Sequence, residues 1–302
     1  MNGKKNVLIT GGTGYIGFDL VHSLIQRQNC NIAVLVRDVD TVNEYLKERV
    51  ICIDSNSKNL KSEILNFNPE VVIHLAAYST SLDSIDEIHK LIESNITFTA
   101  LLLNALEGSD LKLFVNTGSF SEYYYNNETI SPTYFYSATK TSAKYIIEYF
   151  SKKNNFKMIN AILYSVYGKK NKNKKVIDYA MASLDSNEQV KMSSGDQILD
   201  FIHIEDVISF YINLIDNYTN LNITKQDYFV GTGKGISIKD LVFLLEKEMN
   251  QKANISWGGN KSRKRDTIHA SANIVKNLED LLWSAKIDIR TGIKKYIDKE
   301  II

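Results

Sequence analysis

The sequence predicts an α/β fold, a doubly wound parallel sheet followed by a smaller, mixed α/β lobe toward the C-terminus. Short apolar runs alternate with longer stretches of helical spacing through the first half of the chain, the pattern left by βαβ units. A glycine-rich turn, Gly11-Gly12-Thr13-Gly14-Tyr15-Ile16-Gly17, separates the first apolar run from the first helical stretch. With 302 residues, 44% of them hydrophobic, the chain is long enough to bury a sizeable core in one large domain or two lobes.

Six runs read as parallel strands: residues 7–10, 32–36, 50–53, 71–76, 113–116 and 158–163. The first helix, 18–28, carries Leu20, Val21, Leu24 and Ile25 on one face. Further helices are expected over 59–67, 86–106 and 137–152, so the crossovers are long enough to pass over the sheet. Past residue 166 the pattern loosens. A Lys/Asn-rich stretch, 169–175, reads as a surface loop and precedes a helix over 176–183. The expected division is a dinucleotide-binding domain at 1–165 and a mainly substrate-binding lobe at 166–302, with residues 200–230 returning to the first domain.

Formal net charge is +1, from 36 basic and 35 acidic side chains, so the long-range field that draws proteins to nucleic acid or anionic membranes is missing. Cys30 and Cys52 are the only cysteines, and their spacing matches neither a disulfide framework nor a zinc site. No metal is expected. The first apolar run is too short for a signal peptide or a membrane span, which points to the cytoplasm.

The glycine turn satisfies G-x-G-x-x-G through Gly12, Gly14 and Gly17, and a G-x-x-G-x-x-G variant through Gly11, Gly14 and Gly17. Glycine is needed because the backbone turns tightly and lets a pyrophosphate rest on the N–H groups at the helix start, as in a Rossmann domain. About twenty residues on, the second strand of such a domain normally ends in an acidic residue for the ribose of NAD. This chain has Arg37, followed by Asp38. A guanidinium there suits a 2′-phosphate, which favours NADP(H); Asp38 swung inward would serve NAD(H) instead. Asp54, at the tip of the third strand, is a candidate for the adenine amino group.

Tyr136 and Lys140 stand four apart and share one helix face. A free phenol titrates near 10, and a neighbouring ammonium favours the phenolate, which would let Tyr136 exchange a proton with a carbonyl/alcohol pair. Among 17 tyrosines the spacing alone says little; its place in the helix after the fifth strand makes it informative. Just beyond that strand, Thr117 is the first choice for a hydroxyl that meets the substrate carbonyl, with Ser119 in reserve.

The order of the glycine turn, His74-Leu75-Ala76-Ala77, Asn95, Thr117 and Tyr136/Lys140 resembles the extended short-chain dehydrogenases, the NAD-dependent epimerase/dehydratase family. The likeness runs on through Val166-Tyr167-Gly168, Gly195 to Val207, and Leu282-Trp283. Within the family it is closer to the nucleotide-sugar 4-ketoreductases that include the CDP-abequose and paratose synthases, on Asn116-Thr117-Gly118-Ser119-Phe120 and on Gly231 to Ser237. The resemblance implies that Gly11, Gly14, Tyr15, Ile16, Gly17, Leu75, Ala76, Ala77, Asn95, Tyr136 and Lys140 line the cofactor. It implies a nucleotide-linked sugar as substrate, touched by Thr117, Ser119 and Tyr136, and a homodimer formed by the helices near Asn95 and Tyr136. Leu199 stands where the family often has an arginine for the substrate diphosphate. Arg263 and Arg265 match the family's other phosphate-binding region, with Lys169 or Lys191 as further cations. His203, Trp257 and Trp283 read as packing residues.

Three reactions use such a site. Dehydratases of the family carry Asp-Glu directly after the threonine, where this chain has Gly118-Ser119, so elimination lacks its acid and base. An epimerase gains from retained NAD, whereas a reductase draws NADPH from solution. Arg37 tips the expectation toward reduction at C4 of a dTDP- or CDP-linked 4-keto-6-deoxyhexose in surface-polysaccharide synthesis. A 4-epimerase is the alternative, and a non-catalytic NADP sensor is ranked below both.

Overall fold

The computed structural model describes residues 4–126, 129–171, 173–221, 223, 226–260 and 265–301. The first half runs β1 (Lys5–Thr10), α1 (Gly17–Arg27), β2 (Cys30–Val36), α2 (Glu44–Lys47), β3 (Ile51–Asp54), α3 (Leu60–Phe67), β4 (Val71–His74), α4 (Ile85–Ile92), α5 (Phe98–Ala105), β5 (Leu113–Ser119), α6 (Phe135–Asn154) and β6 (Lys157–Leu163). The remainder runs β7 (Ser165–Tyr167), α7 (Val176–Leu184), β8 (Val190–Lys191), β9 (Ile198–His203), α8 (Ile204–Asn217), β10 (Asp227–Val230), β11 (Gly235–Ser237), α9 (Ile238–Met249), β12 (Ile255–Ser256), β13 (His269–Ala270), α10 (Val275–Leu281) and α11 (Ile289–Ile301).

A parallel sheet of order β10-β6-β5-β4-β1-β2-β3 forms the centre. Its middle strands are apolar through their centres because both faces are covered, so Val7, Leu8, Ile9, Val71, Val72 and Ile73 are all buried. One face packs Val7, Ile9 and Val34 against Leu20 and Leu24 of α1 and Tyr211 and Leu214 of α8. The other packs Leu8, Val72 and Phe114 against Ile64 of α3, Leu102 of α5 and Ile147 of α6. A third core joins Leu199 and Phe201 of β9 to Ile177, Leu241 and Tyr296 on α7, α9 and α11. Asp200 centres this lobe: buried, it accepts the N–H groups of Thr232 (2.9 Å), Gly233 (2.8 Å) and Ala272 (3.1 Å) and the Thr232 hydroxyl (2.6 Å).

The sheet has seven strands where six were expected. β10 was missed because it is a four-residue edge strand that returns from the second half of the chain. Its first residue, Asp227, accepts hydrogen bonds from Lys144 Nζ (2.5 Å), Asn160 Nδ2 (2.8 Å) and the Tyr123 hydroxyl (3.1 Å). The helix expected over 86–106 is two helices separated by a π-helical turn, Glu93–Thr97. That wider turn carries Asn95 inward, where its Oδ1 accepts the Tyr78 N–H (2.8 Å) and its Nδ2 donates to the Tyr78 carbonyl (2.9 Å) and Thr139 Oγ1 (3.0 Å). Among the residues read as packing, His203 is buried and caps α8, while Trp283 is buried with its Nε1 on Ser209 Oγ. Trp257 is only partly covered and lies over Gly195.

The Lys144–Asp227 pair joins α6 to the edge strand with little access to water. Asp227→Ala leaves a buried ammonium uncompensated and should lower the stability of the chain by about 3 kcal/mol in urea unfolding. Lys144→Met combined with Asp227→Ala should cost less than Asp227→Ala alone.

Candidate active site

The C-terminal ends of the strands converge on the glycine turn. Gly11 has φ 69°, and a Cβ there would lie 2.7 Å from Ala76 N at the end of β4; a Cβ on Gly17 would lie 2.1 Å from Gly11 O. The close approach of the β1 and β4 ends excludes a side chain at Gly11, and the tightness of the turn itself excludes one at Gly17. α1 starts at Gly17 without a side-chain cap, with the Phe18 N–H turned back onto Gly14 O (3.0 Å), so no capping side chain competes with an anion for the helix start. This bare cradle fits a dinucleotide pyrophosphate. Tyr15 and Ile16 are half-buried beside it, and the Tyr15 hydroxyl donates to Lys169 O (3.0 Å). Lys169 Nζ lies 5.1 Å from the Tyr15 ring centre and bonds Asp19 (2.6 Å), so the basic stretch begins by clasping α1.

Arg37 is exposed immediately beyond β2. The Asp38 carboxylate accepts the Asp40 N–H (2.9 Å). Asp54 pairs with Val36 in register and accepts the Asn56 N–H (2.8 Å), while Asn56 Nδ2 donates to Arg37 O (2.8 Å). Leu75, Ala76 and Ala77 follow β4 with rising exposure.

A hydrogen-bond chain runs beneath these ends. Ala76 N–H donates to Thr10 Oγ1 (3.1 Å), which meets His74 Nδ1 (2.8 Å); His74 Nε2 meets Thr99 Oγ1 (3.0 Å), which donates to Asn95 O (2.8 Å). Since Thr99 gives its proton to Asn95, His74 must donate from Nε2 and accept at Nδ1 from Thr10. Burial, helped by the nearby Lys140 charge, pushes His74 down to about 3, so the ring stays neutral. Asn95 is thus engaged with protein groups from both its backbone and its side chain, and it braces Thr139 beside Lys140 instead of facing open space.

Tyr136 lies in the first turn of α6, half-buried, with its hydroxyl on Ser79. Lys140, one turn further, is 2% exposed. The expected depression of the phenol by Lys140 does not dominate. Burial pushes Tyr136 upward, the Glu122 carboxylate adds to it, and Ser79 opposes. Lys140 is itself pushed down to about 8 by burial, against the opposing pull of Glu122. The sequence spacing brings the two groups to one face, but the shared low-dielectric setting acts on each before either acts on the other.

At the end of β5, Thr117 and Ser119 share a face at different depths. Thr117 Oγ1 is hydrogen-bonded to the Tyr211 hydroxyl of α8 (2.8 Å) and does not join the α6 network. Ser119 does: its hydroxyl meets Ser121 Oγ (2.8 Å), which accepts from Ser137 Oγ (2.8 Å), the residue after Tyr136. Sequence reasoning missed Glu122. It is buried, accepts the Ser119 N–H at Oε1 (2.8 Å) and the Thr141 hydroxyl at Oε2 (2.9 Å), and burial pushes it up to about 7. The Ser119-x-x-Glu122 spacing is a capping-box signature that could have revealed it.

Arg265 donates from Nη2 to Ser131 Oγ (3.1 Å) and Pro132 O (3.2 Å), and its neighbour Asp266 accepts the Tyr134 hydroxyl (2.5 Å) just ahead of α6. Arg263 lies outside the described residues. Leu199 is buried in the core of the second lobe, and Lys191 is exposed on β8.

The sequence model of the NAD dependent epimerase/dehydratase family matches residues 7–231. The chain belongs to this family. It is 28% identical to the CDP-abequose synthase of Salmonella muenchen over 97% of both chains. It is 24% identical to the dTDP-4-dehydro-6-deoxyglucose reductase of Escherichia coli over 98% of both. Among solved structures, the UDP-glucuronic acid 4-epimerase of Bacillus cereus, in complex with UDP-glucuronic acid and NAD, superposes with a TM-score of 0.85 at 21% identity, covering 98% of this chain and 99% of that one. The shared fold, the glycine cradle and the family match make this epimerase/dehydratase family member an NAD(P)-dependent oxidoreductase.

His74 yields a pH test of the buried chain. The folded state holds it neutral down to about pH 3, while an unfolded chain protonates it near 6.5. Between those values the unfolded state binds the extra proton, so stability falls as pH falls through the window. In His74→Gln the urea midpoint should depend less steeply on pH between 6.5 and 4; an unchanged slope would place the titration elsewhere.

Proposed function

We propose that this chain reduces the C4 ketone of a nucleotide-linked (dTDP or CDP) 4-keto-6-deoxyhexose with NADPH, making a deoxysugar donor for surface polysaccharide. The observation that carries the reading is the end of β5. Ser119 is tied through Ser121 to Ser137, the residue after Tyr136, and the residues that follow it offer no carboxylate free to remove a proton beside the ketone. Phe120 stacks on Tyr164 with ring centres 5.6 Å apart, Ser121 is bound to Ser119 and Ser137, and Glu122 is turned back onto Ser119 N–H and Thr141. Elimination is therefore unsupported, whereas reduction needs only a proton donor and a hydride. Similarity to the CDP-abequose synthases and the dTDP-4-dehydro-6-deoxyglucose reductase points the same way.

In this reading the glycine cradle and the α1 N–H groups hold the cofactor diphosphate, Arg37 holds a 2′-phosphate, and Asp54 faces the adenine side. When bound, the dinucleotide supplies the hydride. Ser119 takes the role first assigned to Thr117: its hydroxyl and that of Tyr136 hold the C4 oxygen, and Tyr136 gives it a proton. Lys140 orients the cofactor ribose and stabilises the developing phenolate. Arg265, with Arg263, serves the substrate diphosphate from the second lobe. A homodimer through α5 and α6 is supported by the exposure of Leu101 (61%), Tyr145 (56%) and Tyr149 (61%). A cytoplasmic setting fits the substrate class, and no helix among the described residues is long and apolar enough to cross a membrane.

The test is NADPH and NADH oxidation with dTDP- and CDP-linked 4-keto-6-deoxyglucose. Faster oxidation of NADPH is expected, with Arg37→Asp reversing the preference. Tyr136→Phe should lower kcat by about a thousandfold and Ser119→Ala by about a hundredfold, with Thr117→Val close to the parent. NAD retained in stoichiometric amount through purification, together with no NADPH oxidation on either sugar, would transfer the assignment to a 4-epimerase.

A further inference from the structure

We propose that Glu122 is a positioning residue for the reaction, one carboxylate that clips the Ser119 end of β5 to the helix bearing Tyr136 and Lys140 and serves there as the counter-charge for the Lys140 ammonium. The proposal rests on the oxidoreductase reading of Tyr136 and Lys140, not on the identity of the sugar.

Three observations carry it. Glu122 is 1% exposed, and both of its oxygens are used: Oε1 on the N–H of Ser119, Oε2 on the hydroxyl of Thr141, the residue after Lys140. A second tie, Ser119 to Ser121 to Ser137, closes the same gap one turn earlier on α6. Together they fix the Ser119 hydroxyl relative to both ends of the Tyr136–Lys140 turn. Gly118 makes room, since a Cβ there would lie 2.8 Å from Glu122 Oε1 and 2.6 Å from Ile162 Cδ1. A buried carboxylate where a neutral side chain could make similar bonds is costly unless its charge is used.

The charged and titratable groups that face this pair are few. From α6 come Tyr136, Lys140 and Lys144, the last already bonded to Asp227 of β10; Tyr123 follows Glu122 in the chain and bonds the same Asp227. His74 of β4 faces Lys140 and is neutral. The Glu122 carboxylate raises Lys140 against its burial and raises Tyr136 as well, so both groups hold their protons to higher pH while it is ionised.

Glu122→Gln keeps the shape and both bonds, the amide oxygen accepting Ser119 N–H and the amide nitrogen donating to Thr141 Oγ1, and deletes the charge alone. The basic limb of the kcat profile should move to lower pH by about one unit. In protein carrying 13C-lysine, the Cε resonance lost in Lys140→Arg should titrate at correspondingly lower pH in Glu122→Gln, with Glu122→Asp lying between. Thr141→Val releases only the α6 end of the clip and should lower kcat severalfold with KM unchanged; it stands in if Glu122→Gln does not fold. A uniform loss of activity with the Lys140 resonance unmoved, or a variant identical to the parent in both readouts, overturns the proposal. If the parent oxidises no cofactor with either sugar, the reductase reading fails while the Lys140 titration still decides the role of Glu122.

Discussion

The buried chain from Thr10 through His74 and Thr99 to Asn95, and from Asn95 to Thr139, is the constraint on which the site depends. It links the ends of β1 and β4, the π-helical turn and α6, so the glycine cradle and the Tyr136–Lys140 helix share one frame. Every member is buried, and breaking one bond leaves its neighbours unpaired in a medium that cannot replace them. The proton order is fixed as well, because His74 is neutral and has one direction in which to donate. A frame of this kind has little slack, which suits chemistry that requires a proton donor and a hydride donor on one carbonyl.

The parts of the fold legible in the sequence are those with strong periodicity. Strands covered on both faces read as apolar runs, and the glycines fall where two strand ends meet. β10 was not legible because Asp-Tyr-Phe-Val is a short edge segment whose partner lies far back in the chain. The π-helical turn was not legible because a helix with one wide turn has almost the same spacing as one without. Tyr136 and Lys140 could be paired from their separation, but the direction in which burial moves each required the packing around them. Thr117 and Ser119 illustrate another limit. Residues two apart on a strand point the same way, and the sequence does not say which one is bonded to α8 and which is tied to α6.

α6 carries two buried lysines one turn apart, and each faces a carboxylate from a different element. Lys144 is bonded to Asp227, which completes the sheet edge, and Lys140 answers to Glu122, which belongs to the site. The two carboxylates differ in consequence. The first pair is a direct ion pair that holds structure together. The second leaves the lysine without a direct bond to its counter-charge, and burial moves its proton affinity toward the physiological range.

β10 also bears on how the chain is made. Ribosomes release the N-terminal part first, yet the edge of β6 and the ammonium of Lys144 are satisfied only after residue 230 has emerged. Until then a nascent chain exposes the backbone of Asn160 to Leu163 as an unpaired strand edge beside a core with an unmatched charge. The two lobes are therefore interleaved along the chain, because the sheet that carries the glycine turn takes its edge strand from residues 227–230. That strand arrives by a long-range closure that, by its sequence separation, belongs among the slow steps of folding.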